Sequence, residues 1–558
     1  MSTVGQYLAS RLQQIGIKDY FAIPGDYNMP LLDELLLNEN LNMINCCNEL
    51  NAGYAADGYC RANGVAAMVV TFSVGGLSAI NAVAGAYAED LPVIIVSCGP
   101  NTNSAIAHQI LHHTMGEQDY RYVRDMFAKV TVKSVIIDNI QAAAYLMDDA
   151  INAALTLQKP VYIEIACNLS NCSIAPPQPL GFLNSAKSDS LALQAAVESA
   201  ATMLNNAKKP TLVAGVKLRP AKAFAAMQTL IDASGYGVAA MPTAKGFIDE
   251  TQESYMGIYW GAISSPSCAN IVESSDAYLF AGTVLTDYST TGYSMVLNAQ
   301  KLIVANFDHV VVAGVTFNQV FLAEFLTELA KQITRNTTSC EAFKRIQGEA
   351  EMYQAAADAD PIVIRNLFAR IEKMLDFNSS VIVDTGDSWF NGARLHLPKA
   401  CTYEVQMQYG SIGWSVGATF GYSLATKNKR RVISCIGDGA FQMTAQEVAS
   451  MIRYQVNPII FLINNGSYTI EEEIHDGEYN ILKNWQYSEL IKVFNAEDGH
   501  AWACQVRTEA ELANAIQYSL ENTHKLCFIE VMIDRNDCNK NLLEWGAHVA
   551  VNNSLSPK

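Results

Sequence analysis

Residues 432–441 read VISCIGDGAF, an apolar run that ends in an aspartate held between two glycines. Gly-Asp-Gly is common in tight turns, so a turn is the simplest interpretation. The alternative is that Gly437 and Gly439 let the backbone approach a bound anion while Asp438 holds a cation against it. The segments on either side of this stretch help to choose between the two interpretations.

The flanking segments predict a strand, a helix and a parallel strand. QMTAQEVASMIRYQ follows with a helical pattern, and NPIIFLINN then reads as a strand. Such a crossover brings Asp438 and the pair Asn464-Asn465 to the same edge of the sheet, where open α/β sheets bind ligands. The helix after Gly439 is expected to aim its N-terminal amides into that crevice, which suits phosphate. Carboxylate, amide and carbonyl oxygens together suit Mg²⁺.

Similar apolar runs alternate with helical segments along most of the chain. They are DYFAIP, AAMVVTF, PVIIVSC, PVYIEIA, PTLVAG, AYLFAG, KLIVANF, SVIVDTG, RVISCIG, PIIFLIN and CFIEVMI. Continuous apolar strands separated by helices indicate parallel sheets covered on both faces. The predicted fold class is α/β, with three doubly wound, mostly parallel sheets. Linker-like stretches at 169–190 and 331–360 divide the chain into predicted domains 1–180, 190–345 and 355–558.

Composition excludes several classes of protein. The chain is 50% hydrophobic and 16% charged, and its net charge of −18 argues against binding nucleic acid or anionic membranes. Residues 64–88 carry no charge, but Gly75, Gly76 and Asn81 favour a buried strand and a small-residue helix over a membrane span. The N-terminus lacks a signal-peptide core, and the odd count of 13 cysteines favours reduced thiols. We expect a cytoplasmic enzyme.

Several longer motifs carry a resemblance to a known family. They are FAIPGDYN (21–28), CCNELNAGYAADGY (46–59), LHHT (111–114), TGDSWF (385–390), GSIGWS (410–415) and NNGSYTIEEEIHDG (464–477). Their order, together with GDG followed after residues 440–463 by NN, resembles the thiamin diphosphate-dependent pyruvate decarboxylases over essentially the whole chain. The resemblance implies thiamin diphosphate and Mg²⁺ as cofactors. A Rossmann dinucleotide site fits less well, and the sequence contains no P-loop.

The resemblance also implies which residues contact the cofactor. Glu49 matches the glutamate that bonds to the pyrimidine ring, and its apolar neighbours suit the raised pKa that this role needs. A helix-capping glutamate is the alternative. Ile412 matches the apolar wedge beneath the folded cofactor. The implied cofactor-binding residues are Glu49, Thr385, Asp387, Gly410, Ile412, Gly437, Asp438, Gly439 and Asn465. The implied metal ligands are Asp438, Asn465 and the carbonyl of Ser467, where relatives often have glycine.

Protons must also be supplied and relayed, and histidine exchanges protons near neutral pH. The family uses an aspartate, two histidines and a glutamate for this purpose, and the matching residues are Asp26, His112, His113 and Glu471. Glu471 is chosen from the run Glu471 to Glu473 because it lies six positions after Asn465. The extra acid at 472 departs from the relatives, and a solvated acidic face is the alternative interpretation.

The implied substrate is a 2-oxo acid. Trp389, Ile470 and Ile474 match the residues that surround it, and the bulky Trp389 favours pyruvate, which would give acetaldehyde and CO₂. Larger 2-oxo acids such as phenylpyruvate, indolepyruvate or branched-chain acids are the nearest alternative. An acetolactate-forming carboligase and a catalytically inert scaffold protein are the others. The middle domain lacks a glycine fingerprint, so no flavin is expected. The family also implies a homodimer at minimum, and it favours a homotetramer.

Overall fold

The computed structural model describes residues 1–179, 187–347, 356–496 and 499–555. They form three large sheets in chain order, each with helices on both faces, and one short two-stranded pair. None of the described helices is long and apolar enough to cross a membrane. The uncharged stretch 64–88 is a strand followed by a helix, as predicted.

The first sheet contains six parallel strands in the order β3-β2-β4-β5-β7-β6, with β1 and β8 paired separately. The strands are β1 (Ser2–Thr3), β2 (Asp19–Ala22), β3 (Asn42–Asn45), β4 (Ala66–Thr71), β5 (Val93–Gly99), β6 (Lys133–Ile137), β7 (Val161–Ala166) and β8 (Ser173–Ile174). The helices are α1 (Val4–Gln14), α2 (Met29–Leu36), α3 (Glu49–Asn63), α4 (Val74–Ala88), α5 (Thr102–Ile106), α6 (Tyr122–Phe127) and α7 (Ala143–Leu157).

The middle sheet is mixed. Its order is β11-β10-β9-β12-β13-β14-β15, and only the pairings of β14 are antiparallel. The strands are β9 (Pro210–Ala214), β10 (Gly237–Ala240), β11 (Tyr255–Ile258), β12 (Ala277–Ala281), β13 (Leu302–Ala305), β14 (His309–Val312) and β15 (Val315–Asn318). The helices are α8 (Ser190–Asn206), α9 (Phe224–Ser234), α10 (Cys268–Glu273), α11 (Leu322–Ala330) and α12 (Thr338–Ile346). Its five parallel strands, β11-β10-β9-β12-β13, have the order of a Rossmann fold.

The third sheet has six parallel strands in the order β17-β16-β18-β19-β21-β20, which repeats the order of the first sheet. The strands are β16 (Ser379–Val383), β17 (Thr402–Val405), β18 (Arg431–Gly437), β19 (Ile459–Asn464), β20 (Ala501–Val506) and β21 (Leu526–Met532). The helices are α13 (Ile364–Met374), α14 (Asp387–Ala393), α15 (Trp414–Thr426), α16 (Asp438–Thr444), α17 (Glu447–Arg453), α18 (Thr469–Ile474), α19 (Tyr487–Asn495), α20 (Glu509–Glu521) and α21 (Lys540–Asn553).

The predicted fold class is confirmed, and every quoted apolar run overlaps a strand. Two local predictions differ from the structure. The predicted linker 331–360 contains α12, whose buried Phe343 packs among residues of the middle sheet, and 348–355 lie outside the described residues. The helix predicted after Gly439 begins at Asp438 and is divided into α16 and α17. Residues 180–186 of the other predicted linker also lie outside the described residues, and the domain boundaries stay a prediction.

Candidate active site

The order of the third sheet places a crevice beside β16 and β18. These strands are neighbours, but the chain leaves β16 towards β17 on one side and leaves β18 towards β19 on the other. Ligands bind at such a switch point, outside the carboxyl ends of the strands. Asp384, Asp438 and Asn465 come at or directly after the ends of β16, β18 and β19.

Asp438 is a buried acid of this crevice that is held by backbone hydrogen bonds. Its side chain is buried, with Oδ1 accepting a 2.8 Å hydrogen bond from the Gly439 amide and Oδ2 accepting a 2.6 Å bond from the Gly466 amide. Burial raises the pKa of Asp438 to about 6, although these backbone hydrogen bonds lower it. A bound divalent cation would favour the ionised form by replacing lost hydration.

The two asparagines after β19 have separate environments. Asn464 is buried, where it donates to Glu530 at 2.8 Å and accepts from Asn484 at 2.9 Å, so it supports the sheet. Asn465 donates to Thr469 Oγ1 at 2.5 Å, and its Oδ1 accepts from the Ser467 amide at 3.3 Å. Within the described part of the chain, no hydrogen bond is made to the Ser467 carbonyl.

The backbone beside Asp438 is open at two of its three glycines. A Cβ atom added at Gly437 or at Gly466 would meet no other atom within 4 Å, and Gly466 has a φ of +75°. At Gly439, which was also predicted to leave space for an anion, a Cβ atom would lie 2.4 Å from the Tyr468 ring. The carboxylate of Asp438 can accept further bonds beyond the two it already receives. Open backbone, an oxygen-only donor set and a buried carboxylate therefore fit a diphosphate held by Mg²⁺.

Sequence reasoning missed Asp384, which positions the Ile412 loop. It is fully buried, and it accepts hydrogen bonds from the amides of Thr385 (2.7 Å), Gly413 (3.2 Å) and Ser415 (3.0 Å) and from Ser415 Oγ (2.5 Å). The bonds to the amides and the hydroxyl compensate the burial of the carboxylate. The signal in the sequence was a carboxylate that ends the buried run SVIVD.

Asp387, predicted to bind the cofactor, has protein partners at both oxygens. Oδ1 accepts from the Asn539 amide at 3.0 Å and Oδ2 accepts from Asn391 Nδ2 at 2.7 Å, while burial raises its pKa to about 7. Asn539 caps α21, so Asp387 fixes the start of that helix beside α14. Thr385 is half-buried next to it.

The first sheet brings Asp26, His112 and His113 together. His112 Nε2 lies 2.5 Å from Asp26 Oδ2, and His113 Nε2 lies 3.4 Å from Asp26 Oδ1. Tyr27 stacks on the His112 ring at 4.8 Å between centroids. Burial raises the pKa of Asp26, but the hydrogen bond and charge of His112 outweigh it, so the net direction is downward.

Glu49 is the first residue of α3, and burial raises the pKa of its carboxyl. The helix cap is Asn48, whose side chain accepts from the Asn51 amide at 2.8 Å, so the capping alternative for Glu49 does not apply. A Cβ atom on Gly75 would lie 3.1 Å from Glu49 Oε1, which places the carboxylate against the start of α4. Its predicted role towards a pyrimidine stays a prediction.

An aromatic cluster surrounds the predicted substrate pocket. Trp389 and Ile470 are buried in one core with the half-buried Ile474 against it, and Trp389 Cη2 is 3.7 Å from the Cβ position of Gly410. Tyr288, which the sequence did not indicate, lies in the loop between β12 and β13, and its ring centroid is 6.0 Å from that of Trp389. Its carbonyl accepts from the indole nitrogens of Trp260 (2.7 Å) and Trp545 (3.2 Å).

Glu471 lies close enough to this cluster for its negative charge to act on Tyr288. Burial is the larger cause of the raised pKa of Tyr288, and the charge of Glu471 is the next.

The predicted site residues form two groups within one chain, one on each parallel sheet. Among the described residues, no hydrogen bond or ion pair joins Asp26, His112 or His113 to Asp438, Asn465 or Glu471. Ile412 packs on the large core that continues from the first sheet into α15 and α16.

Comparisons with known proteins agree with these features. Residues 2–120, 197–333 and 384–531 match the N-terminal TPP binding domain, the central domain and the C-terminal TPP binding domain of thiamine pyrophosphate enzymes. Pyruvate decarboxylase 2 of Oryza sativa subsp. japonica is 50% identical over 100% of this chain and 92% of its own length. Pyruvate decarboxylases 2 and 3 of Arabidopsis thaliana are each 50% identical over the whole chain, with 92% and 95% of their own lengths covered. The chain belongs to the thiamin diphosphate-dependent pyruvate decarboxylase family.

Proposed function

We propose that this chain converts pyruvate to acetaldehyde and CO₂ with thiamin diphosphate and Mg²⁺, as a cytoplasmic homo-oligomer. The observation that carries the proposal is the placement of Asp438 and Asn465 at the ends of the neighbouring strands β18 and β19, where the Gly466 amide donates to Asp438 at 2.6 Å and Gly437 and Gly466 leave open backbone. Its relatives at 50% identity are named pyruvate decarboxylases. When bound, thiamin diphosphate supplies the nucleophilic carbon and stores the electrons released with CO₂.

The protein residues have separable tasks in this proposal. Asp438, Asn465 and the Ser467 carbonyl hold Mg²⁺ against the diphosphate, and Asp384 fixes the loop that carries Ile412. Glu49 hydrogen-bonds to the pyrimidine ring, for which its raised pKa is suited. Asp26, His112, His113 and Glu471 hold and move protons, so that the product is released as an aldehyde.

The test of the reaction is product identification with purified protein, thiamin diphosphate, Mg²⁺ and pyruvate. We expect acetaldehyde and CO₂ in equal amounts, with both lost when Mg²⁺ is chelated. Acetolactate as the main product would contradict the proposal and favour the carboligase. Activity on phenylpyruvate without activity on pyruvate would favour a decarboxylase of larger 2-oxo acids.

The buried Trp389 is proposed to limit substrate size. Its ring closes the pocket together with Tyr288 and Ile470, so Trp389→Ala is expected to raise kcat/KM for larger 2-oxo acids relative to pyruvate. A pocket change of this kind is worth about 1–3 kcal/mol, or roughly 10- to 200-fold in the ratio. An unchanged ratio in a folded variant would contradict the pocket assignment.

We also propose that the complete site forms between two copies of the chain, with a dimer as the minimum and a tetramer as the favoured state. The separation of the two groups of residues within one chain supports this arrangement. Glu49→Gln and Asp438→Asn subunits, each inactive alone, can be denatured, mixed and refolded together. Mixed dimers then contain one site without either substitution, and recovered activity is expected. No recovery, despite mixed dimers detected by mass, would contradict the shared site.

A further inference from the structure

We propose that Asp26, His112 and His113 form a binding site for a divalent transition-metal ion such as Zn²⁺, separate from the Mg²⁺ site at Asp438. The ligand atoms of the three side chains all lie within 4.8 Å of one another. Binding at this cluster follows from the geometry alone, whereas the inhibition described below rests on the proposed function.

The donor set differs in kind from that at Asp438. Two imidazole nitrogens and one carboxylate suit Zn²⁺, Co²⁺ or Ni²⁺, which accept nitrogen ligands readily. Mg²⁺ prefers an all-oxygen octahedron, which Asp438, Asn465 and a diphosphate would supply. The two sites therefore select different ions from the same solution.

The cluster is already arranged for binding before a metal arrives. The hydroxyl of Tyr27 donates to the His112 carbonyl at 3.3 Å. The hydroxyl of Tyr122 donates to Ser73 Oγ at 2.7 Å and lies 3.4 Å from the His113 carbonyl. His113 has a φ of +63°, a conformation uncommon for a non-glycine residue, and both imidazole Nε2 atoms are directed at the one carboxylate. Preorganised ligands lose less conformational entropy on binding.

The cluster is exposed in the single chain, and in the shared site proposed above it must still be reached by the substrate, so an ion can follow the same path. The side chains of His112, Asp26 and His113 are 57%, 51% and 32% exposed in this chain. Zn²⁺ ligand atoms lie about 2 Å from the ion, so neighbouring donors are about 3 Å apart. An entering ion replaces the 2.5 Å contact between His112 and Asp26, which exposed side chains can widen, and water completes the coordination.

Metal binding would remove both histidines from proton exchange. Each coordinated Nε2 donates its lone pair to the ion and can no longer accept a proton. We therefore expect Zn²⁺ to inhibit pyruvate turnover, and a chelator that prefers Zn²⁺ over Mg²⁺ to restore it.

The test is a titration of Co²⁺ into the untagged, full-length holoenzyme, saturated with thiamin diphosphate and Mg²⁺. We expect one equivalent per chain and the intense visible bands of low-coordinate Co²⁺, which Zn²⁺ then displaces. His112→Gln and His113→Gln are each expected to weaken binding by at least about tenfold. His309→Gln is the matched control, because His309 contacts Asp308 at 2.9 Å without a second histidine, and it should bind as the unmodified protein does.

Absence of the bands, or equal binding by the two histidine variants and the unmodified protein, would overturn the site. Far-UV circular dichroism checks that the variants are folded. Bands in a protein that turns over pyruvate without Zn²⁺ inhibition would uphold the metal site and contradict the proton-relay role. An enzyme that turns over pyruvate but shows no bands would contradict the metal site and leave the proposed function standing.

Discussion

Three consecutive glutamates lie in three different environments. Glu472 forms an ion pair with Arg535, and the backbone of Glu473 lies against Gly546 of α21. Burial and repulsion from Glu472 raise the pKa of Glu473. Glu471 is exposed, and within the described ranges its side chain makes no ion pair, although its charge acts on Tyr288 beside Trp389. Glu472, the acid that departs from the relatives, therefore has a structural partner in Arg535. Glu471 is the glutamate of the three that remains available for the proposed proton transfer.

This difference predicts opposite outcomes for two neighbouring substitutions. Glu471→Gln removes the proposed proton donor, so we expect kcat for pyruvate to fall by about 10²–10⁴-fold. Glu472→Gln removes only the contact to Arg535, so kcat is expected to stay within a few-fold while the thermal midpoint falls slightly. Steady-state assays with saturated cofactor check both. A larger loss of kcat in Glu472→Gln than in Glu471→Gln would reverse the assignment.

Glu164 gives a pH-dependent prediction away from the site. It is buried in β7, accepts from the Tyr162 hydroxyl at 2.7 Å, and burial raises its pKa from 4.5 to about 7. The folded chain therefore holds a proton that the unfolded chain loses above pH 4.5, so stability falls as pH rises from 4.5 to 7 and stays lower above 7. The free energy of unfolding is about 3 kcal/mol lower above pH 7 than below pH 4.5 as a result.

Glu164→Gln removes this penalty while keeping an acceptor for Tyr162. We expect the variant to have a higher thermal midpoint than the unmodified protein at pH 8, with the gap narrowing as pH falls towards 4.5. Differential scanning calorimetry between pH 4.5 and pH 8 measures this difference in thermal midpoint. The exposed Glu117→Gln is the control and should show no such pH dependence, and a constant gap for Glu164→Gln would contradict the explanation.

At the scale of elements, the closest contact joins α3 to α15. A Cβ atom on Gly421 would lie 1.8 Å from the Ala55 carbonyl oxygen, and one on Gly58 would lie 2.1 Å from that of Ala418. The backbones of the two helices are therefore in direct contact, which only glycine permits. Because α3 begins at Glu49 and α15 begins two residues after Ile412, this contact fixes both predicted cofactor residues.

Gly421→Ala is expected to separate the two helices and destabilise the protein by about 1–3 kcal/mol. The shift of Glu49 and Ile412 should also weaken cofactor binding, measured as the thiamin diphosphate concentration needed for half-maximal activity. Ala62→Ser, at the exposed end of α3, is the control. Stability and cofactor affinity equal to those of the unmodified protein would show that the helices can move apart without consequence.

Elements with a continuous apolar run could be predicted from the sequence, and contacts between elements could not. The runs that became β4, β5, β18 and β19 are buried on both faces, so their composition alone identifies them. Asp384 and Tyr288 were missed because their roles come from loops that meet only after folding. The helix α12 was missed because one buried Phe343 among charged residues gives a weak pattern.

At the scale of the whole molecule, a buried ionic cluster connects all three sheets. Arg61 of α3 contacts Asp57 at 2.6 Å, Glu404 of β17 at 3.2 Å and Glu89 at 3.5 Å. Arg219, after β9 of the middle sheet, pairs with the same Glu404. Arg61 also lies over the Trp414 ring at 4.6 Å. Two guanidinium groups thus neutralise most of the charge of three buried carboxylates where the three parts of the chain meet.

Arg61→Met removes the central cation and leaves Asp57, Glu89 and Glu404 buried with Arg219 as the one remaining guanidinium of the cluster. We expect a loss of about 3–5 kcal/mol, because breaking a buried pair strands a desolvated charge. Burial already raises the pKa of Glu89, so Glu89 should take up a proton as the pH falls, and the variant should recover part of its stability at lower pH. Calorimetry is also expected to show separate transitions, since the shared cluster couples the sheets. Lys331→Met, which breaks an exposed pair with Glu328, is the control and should leave one transition. A single transition at an unchanged midpoint in Arg61→Met would mean that apolar contacts such as those of α3 with α15 are enough to hold the three parts of the chain together.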